Sequence, residues 1–154
     1  MWQRKQTIFL VIAIASLVGM IFFPVWEAKT LTTRTTLYPM YYGVKQGETL
    51  EVVYFPYCLI AIFGIAAATL ATMQISKFNN RLLQLKMGAL NSLLMAGSMG
   101  SAAYFAVKLI QANHQPGSYG ISLFFPAVAM VCNAIANRLI RKDENLVRDA
   151  DRIR

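Results

Sequence analysis

Residues 87–107 read MGALNSLLMAGSMGSAAYFAV, a stretch without Asp, Glu, Lys, Arg or His. A soluble helix needs charge on its wet face, whereas about 20 uncharged, mostly apolar residues suit a helix that crosses a hydrocarbon core of ~30 Å. Comparable apolar stretches occupy residues 7–25, 53–75 and 121–140. The sequence therefore predicts an all-α membrane protein, a bundle of four transmembrane helices at 7–25, 53–75, 87–107 and 121–140.

The composition is typical of a single membrane domain covering residues 1–154. Hydrophobic residues make up 56% of the chain, charged residues only 14%, and the mean hydropathy is +0.46. The net charge of +8 gathers beside the apolar stretches, and no nucleic-acid-binding module accompanies it. Membrane orientation and anionic lipid explain this charge better, so the lipid bilayer is the expected partner and nucleic acid is not.

The positive charges also predict an orientation, with both termini in the cytoplasm. In that orientation four of the 15 lysines and arginines lie in outer segments, namely Lys29, Arg34, Lys45 and Lys108, and the remaining 11 lie in inner segments. Inner segments of membrane proteins carry the excess of Lys and Arg.

The first apolar stretch admits two interpretations. Arg4 and Lys5 before an apolar core are also the form of a signal peptide. The stretch is long for such a peptide and has no convincing small-x-small cleavage site, so an uncleaved helix is favoured. Trp2 and Trp26 bracket it, and both are predicted to be interface anchors, because the tryptophan ring is apolar while its N–H binds water.

The outer segment 27–52 differs from the rest in composition. It contains TLTTRTTLY and YPMYYGVKQGETLEVVYF, rich in Thr, Tyr and Val. Such residues favour strands, and Gly43 and Gly47 indicate turns. We expect two or three short strands that form a small β-rich outer loop between helices 1 and 2; the alternative is an irregular loop.

The third apolar stretch is rich in small residues. Pairs of small residues four positions apart let two helix backbones approach closely. This pattern predicts helix contacts, either inside the bundle or with another subunit, at Gly88, Ser92, Ala96, Gly97 and Gly100.

Several amides are predicted to lie toward the inner side of the helices. Asn91 and Asn133 are the most deeply placed of a set that also includes Gln74, Asn79, Asn80, Gln84 and Asn137. A buried amide in lipid needs a partner. Interhelical hydrogen bonding is the structural interpretation, and a small polar pocket is the functional one.

Signatures of chemistry are lacking. No ionisable residue lies in the middle of a predicted span, which argues against a pump or proton-coupled transporter. Cys58 and Cys132 lie at different depths and form no CxxC pair, and His114 is the only histidine. We therefore expect no catalytic, metal-binding or cofactor-binding residues, no cofactor, and a protein that is not an enzyme.

The cytoplasmic tail 141–154 contains five basic and four acidic residues. Leu139, Leu146, Ala150 and Ile153 fall near one helical face. The pattern predicts an amphipathic helix that docks on a partner or on headgroups; the alternative is a solvated extension that marks the membrane boundary.

The chain resembles a known family in four segments: WQRKQTIFLVIA, FFPVWE, FNNRLLQLKMGALN and the ending RKDENLVRDADRIR. The family is a bacterial one of small four-span inner-membrane proteins, number 4293 among the domains of unknown function. The resemblance covers most of the chain except the outer loop. It implies a bacterial inner membrane and supplies no activity.

These observations favour a non-enzymatic accessory or scaffold subunit of a larger inner-membrane assembly, in contact with other membrane proteins or with copies of itself. The alternative is a transporter or binder of a small molecule or lipid, with a polar pocket near Asn91 and Asn133. An enzyme ranks third.

Overall fold

The computed structural model describes residues 5–77, 80–113 and 117–152, the last six of these by their backbone alone. Its helices are α1 (Lys5–Met20), α2 (Leu59–Ser76), α3 (Arg81–Asn113) and α4 (Phe125–Arg152), the last preceded by a 3₁₀ turn at Ile121–Phe124. Its strands are β1 (Trp26–Lys29), β2 (Thr33–Leu37), β3 (Tyr42–Gln46), β4 (Thr49–Val53) and β5 (Ser118–Tyr119).

Among the described residues, three stretches of helix are long and apolar enough to cross a membrane: Leu59–Ser76, Arg81–Asn113 and Ile121–Leu146. The prediction of four such spans is wrong, because the structure describes α1 over only 16 residues, fewer than the about 17–25 that a helix needs to cross the hydrocarbon core. The predicted span 7–25 continues into a turn in which the Phe22 N–H donates to the Gly19 carbonyl. Pro24, which disfavours helix at the preceding residue, completes the exit toward β1.

The all-α class is also wrong. Among the described residues, five strands form one antiparallel sheet in the order β4-β3-β2-β1-β5, and strand residues make up 15% of that part of the chain. The sheet is a distinct domain rather than a small loop between two helices, because β5 comes from the connection after α3 and pairs with β1. Side chains alternate between the two faces of β1 and β2, as expected for strands with one buried face. The buried face carries Trp26, Ala28, Thr35 and Leu37, and the other face carries exposed Lys29 and Arg34.

Glycines at both ends of β5 allow it to approach β1 closely. A Cβ at Gly117 would collide with the Trp26 ring, and one at Gly120 would collide with the Pro24 carbonyl. The Gly120 N–H donates to the Val25 carbonyl at 2.8 Å. The fifth strand therefore depends on two residues without side chains.

Each helix packs on two neighbours. α1 lies against α4 and α2, and α3 lies against α2 and α4. One core joins the inner face of the sheet to the helices through Trp26, Leu37, Ile60, Ala102 and Phe105. A second core lies deeper among the helices and includes Leu17, Ala67, Met95 and Ala129.

The chain connections give the helices two distinct ends. α1 and α3 run toward the sheet, and α2 and α4 run away from it. The end opposite the sheet therefore carries Lys5, the α2–α3 connection and the second half of α4. The tail continues α4 without a break as far as Arg152, whereas Ile153 and Arg154 lie outside the described residues.

Candidate functional site

A polar contact joins α3 to α4 inside the helices. The side-chain amide of Asn133 donates from Nδ2 to the Gly88 carbonyl at 2.9 Å and to the Ser92 hydroxyl at 2.8 Å. Asn137, one turn further along α4, lies where a Cβ on Gly88 would be. Three of the predicted contact residues, Gly88, Ser92 and Asn133, thus meet at one helix crossing.

Asn91 is the most unusual member of this region. Its side chain is completely buried, and within the described ranges neither its Nδ2 nor its Oδ1 has a hydrogen-bond partner. The Oδ1 of Asn133, also fully buried, is likewise unpartnered. Each unpartnered buried amide group costs about 1–3 kcal/mol, so this pair is an expensive feature unless something else binds to it.

A second layer of amides lies nearer the end opposite the sheet. Gln84 donates from Nε2 to the Gln74 carbonyl at 2.7 Å, and Gln74 donates from Nε2 to Asn137 Oδ1 at 3.0 Å. Gln6 of α1 lies at the same depth as Gln84 of α3. The two helices run in the same direction and are in contact at Met20 and Ser98, and each glutamine lies 14 residues before the contact residue of its own helix. In the part of the chain that the structure describes, the Oε1 atoms of all three buried glutamines lack partners.

Sequence reasoning missed Gln6. The available signal was helical spacing, since Gln6 shares a face of α1 with the buried residues Leu10, Ala13 and Leu17. The amides are therefore contributed by all four helices, and they form a polar region over about two turns of α3, from Gln84 to Asn91.

The remaining small residues of α3 face different environments. Gly97 packs on Phe63 of α2, with the ring 3.5 Å from the position a Cβ would take. Ala96 and Gly100 are exposed on the outer face of α3, and a Cβ at Gly100 would meet no atom within 4 Å. The structure thus brings Gly88, Asn91, Ser92 and Asn133 together and leaves Ala96 and Gly100 pointing away.

The two predicted tryptophan anchors have different outcomes. Trp26 is completely buried in β1, and its ring packs inside the protein, so it is not available to the lipid–water boundary as an anchor would be. Trp2 lies outside the described residues, as do Asn79 and His114.

The groups in the helix interior are neutral amides, hydroxyls and backbone carbonyls. Among the described residues no group of three or more His, Cys, Asp or Glu could hold a metal ion. The chemistry open to this region is hydrogen bonding. Within the described ranges it has more unpartnered acceptors than donors, five amide oxygens against the one nitrogen of Asn91.

The fold and this interior define a class: a helical membrane protein with a distinct antiparallel sheet at one end of its helices. The chain belongs to the family described as Domain of unknown function (DUF4293), which matches residues 2–153. The resemblance found in the sequence is therefore confirmed at the level of the family. A comparison with curated proteins found no match.

Proposed function

We propose that the protein is a non-enzymatic accessory or scaffold subunit of a bacterial inner-membrane assembly, and that it associates through the outer face of α3. The observation that carries the proposal is the exposed pair Ala96 and Gly100, four residues apart, with open space at Gly100. Such a pair lets a second transmembrane helix approach closely. Internal packing does not need it, because Gly88 and Gly97 supply the close contacts to α4 and α2.

The residues beside Ala96 and Gly100 favour a transmembrane partner helix over a soluble partner. Leu93 and Met99 are exposed beside it, with 69% and 38% of their surface accessible. Apolar flanks around a small-residue notch suit van der Waals contact with another transmembrane helix, which is the main attraction between helices in lipid.

The charge distribution supports an orientation for this assembly. At the end of the helices that carries the sheet, the lysines and arginines are Lys29, Arg34, Lys45 and Lys108. Nine of the other 11 lie on backbone that the structure describes, and these nine belong to the opposite end, so the proposed cytoplasmic side is the end with the α2–α3 connection and the α4 tail.

The association is tested by two glycine variants of the full chain in a mild detergent. Gly100→Leu adds a side chain where there is open space, so stability should be kept and the size of the complex should fall. Gly97→Leu is the matched control, because it forces a side chain onto Phe63 and should lower the melting temperature. If Gly100→Leu leaves the complex intact by size-exclusion chromatography and pull-down, the outer face of α3 is not the interface.

A second function is supported by a different observation: among the described residues, the amide oxygens of Asn91 and Asn133 have no hydrogen-bond partner. We propose as the alternative a binder or transporter of a small polar molecule or lipid headgroup that donates hydrogen bonds to these oxygens. The test is a thermal-shift screen of small polar molecules, with Asn91→Leu as the variant that should lose any stabilisation. The two functions separate because Gly100→Leu leaves this site untouched.

A further inference from the structure

Three basic side chains form a row across the sheet. Lys29 of β1 pairs directly with Arg34 of β2, and Arg34 pairs directly with Lys45 of β3. Directly paired residues of antiparallel strands point to the same face, so the row lies on the outer face, opposite buried Ala28 and Thr35. Like charges on directly paired residues destabilise a sheet, so this register is unfavourable unless an anion binds to this face.

The carboxylates of the sheet neutralise only part of this row. Glu27 accepts a hydrogen bond from Arg34 at 2.9 Å and lies 3.4 Å from the Lys29 ammonium, so one carboxylate serves two cations. Among the described residues Lys45 has no carboxylate partner. Glu51 pairs with Val44 and therefore points to the other face of the sheet.

The row lines a cleft. The cleft is a shallow groove, open to solvent, with a volume of about 410 Å³ between the β1–β2 turn and the β3–β4 turn. Its lining combines Lys29, Arg34 and Lys45 with the threonine-rich β1–β2 turn and Gly47. Adjacent strands lie 4.7–4.9 Å apart, so the row extends about 10 Å from β1 to β3.

We propose that this cleft binds a phosphate-bearing ligand with at least two anionic groups, a diphosphate or a longer polyanion. Charge-assisted hydrogen bonds from Arg and Lys are the strongest that such oxygens receive, and Arg34 is suited to bidentate contact. The length of the row matches two neighbouring phosphates better than one. The ligand replaces the missing countercharge beside Lys45 and relieves the repulsion along the row.

The first experiment titrates the full chain in detergent with sodium pyrophosphate and with orthophosphate, at constant ionic strength so that general screening does not change. We expect saturable binding, tighter for pyrophosphate. Lys45→Gln should weaken it about tenfold, the effect of losing one charge-assisted bond. Glu27→Gln should strengthen it, because it removes the competing carboxylate. Lys108→Gln, a basic residue of α3 away from the cleft, is the matched control and should have no effect.

Two outcomes overturn the proposal: equal affinities of all three variants for pyrophosphate, or no saturable binding by a wild-type protein that melts cooperatively.

A second experiment identifies the source of the phosphate. Pyrophosphate binding is repeated in nanodiscs of phosphatidylcholine alone and of phosphatidylcholine with cardiolipin, a lipid whose headgroup carries two phosphates. If cardiolipin competes in the wild type and not in Lys45→Gln, the natural phosphates are those of a lipid headgroup; equal binding in both lipids assigns the site to a soluble ligand.

Discussion

Asn137 of α4 lies against Gly88 of α3 so closely that a Cβ on Gly88 would overlap its amide. The same Asn137 accepts a hydrogen bond from Gln74 of α2, so this close approach joins side chains of α2 and α4 to the backbone of α3. Any side chain at position 88 therefore displaces a hydrogen-bonded amide.

Gly88→Ala should lower the stability of the protein by about 1–3 kcal/mol, the usual effect of overpacking a tight interior. Gly100→Ala is the matched control, because it adds the same methyl group where no atom lies within 4 Å. The measurement is thermal or denaturant unfolding in one detergent. A Gly88→Ala protein as stable as Gly100→Ala would show that the contact between α3 and α4 is looser than described.

Asn91→Leu should raise the stability in the absence of ligand by about 1–3 kcal/mol. The substitution keeps the branched shape of the side chain and removes two buried polar groups that have no partner among the described residues. Asn133→Leu provides the contrast, since it deletes the hydrogen bonds to Gly88 and Ser92 and should be destabilising. Lower stability for Asn91→Leu would mean that the native amide is already satisfied.

The ion pair between Arg34 and Glu27 makes the sheet pH-dependent. The hydrogen bond from Arg34 is the main cause that holds the pKa of the Glu27 carboxyl below its ordinary value of 4.5; partial burial opposes the shift and Lys29 adds to it. A pKa lowered by folding stabilises the native state above the unfolded-state pKa, and this contribution is lost as the pH falls through the native-state pKa.

Glu27→Gln should therefore be less stable than the wild type at pH 7, by about 0.2–1 kcal/mol, because the pair is partly exposed. The difference should shrink as the pH falls below 4.5 and vanish once Glu27 is protonated in the native state. Glu48→Gln, on the β3–β4 turn, is the matched control. A difference that persists unchanged at acid pH would assign the effect to packing instead of charge.

Cysteine labelling tests the proposed orientation. In a background without Cys58 and Cys132, Gln46→Cys on β3 should react with a membrane-impermeant maleimide in spheroplasts. Ser76→Cys, at the end of α2, should react only after permeabilisation. Both positions are exposed on the protein surface, and they lie at opposite ends of the helices. The reverse pattern would invert the orientation and would contradict the assignment from charge.

The sequence predicted what depends on composition over long stretches. The apolar runs of α2, α3 and α4 follow from hydropathy, and the amides at Asn91 and Asn133 follow from their depth in those runs. The sequence-based prediction placed the end of α1 too late, because the apolar residues Ile21–Phe23 form a turn and do not extend the helix. Hydropathy measures the preference of side chains for an apolar environment and does not record where the backbone turns.

Contacts between distant segments could not be predicted from the sequence. β5 has only two residues, too few for any alternation pattern, and it exists because Gly117 and Gly120 allow close approach to β1. The basic row required the strand register, since Lys29, Arg34 and Lys45 are separated in sequence. A spacing pattern within one strand does not reveal which residues of two strands are opposite each other.

The late arrival of β5 has a consequence for synthesis. The edge of β1 that β5 covers is complete once Lys29 has left the ribosome, and β1–β4 are complete at Val53, whereas Ser118 follows 65 residues later. At a translation rate of about 5–20 residues per second, the completed β1–β4 sheet waits roughly 3–13 s for its final strand. Unpaired strand edges recruit other chains. During this interval the nascent chain is open to strand exchange with a neighbouring copy or to capture by a chaperone, and the exposure ends only after α2 and α3 have been made.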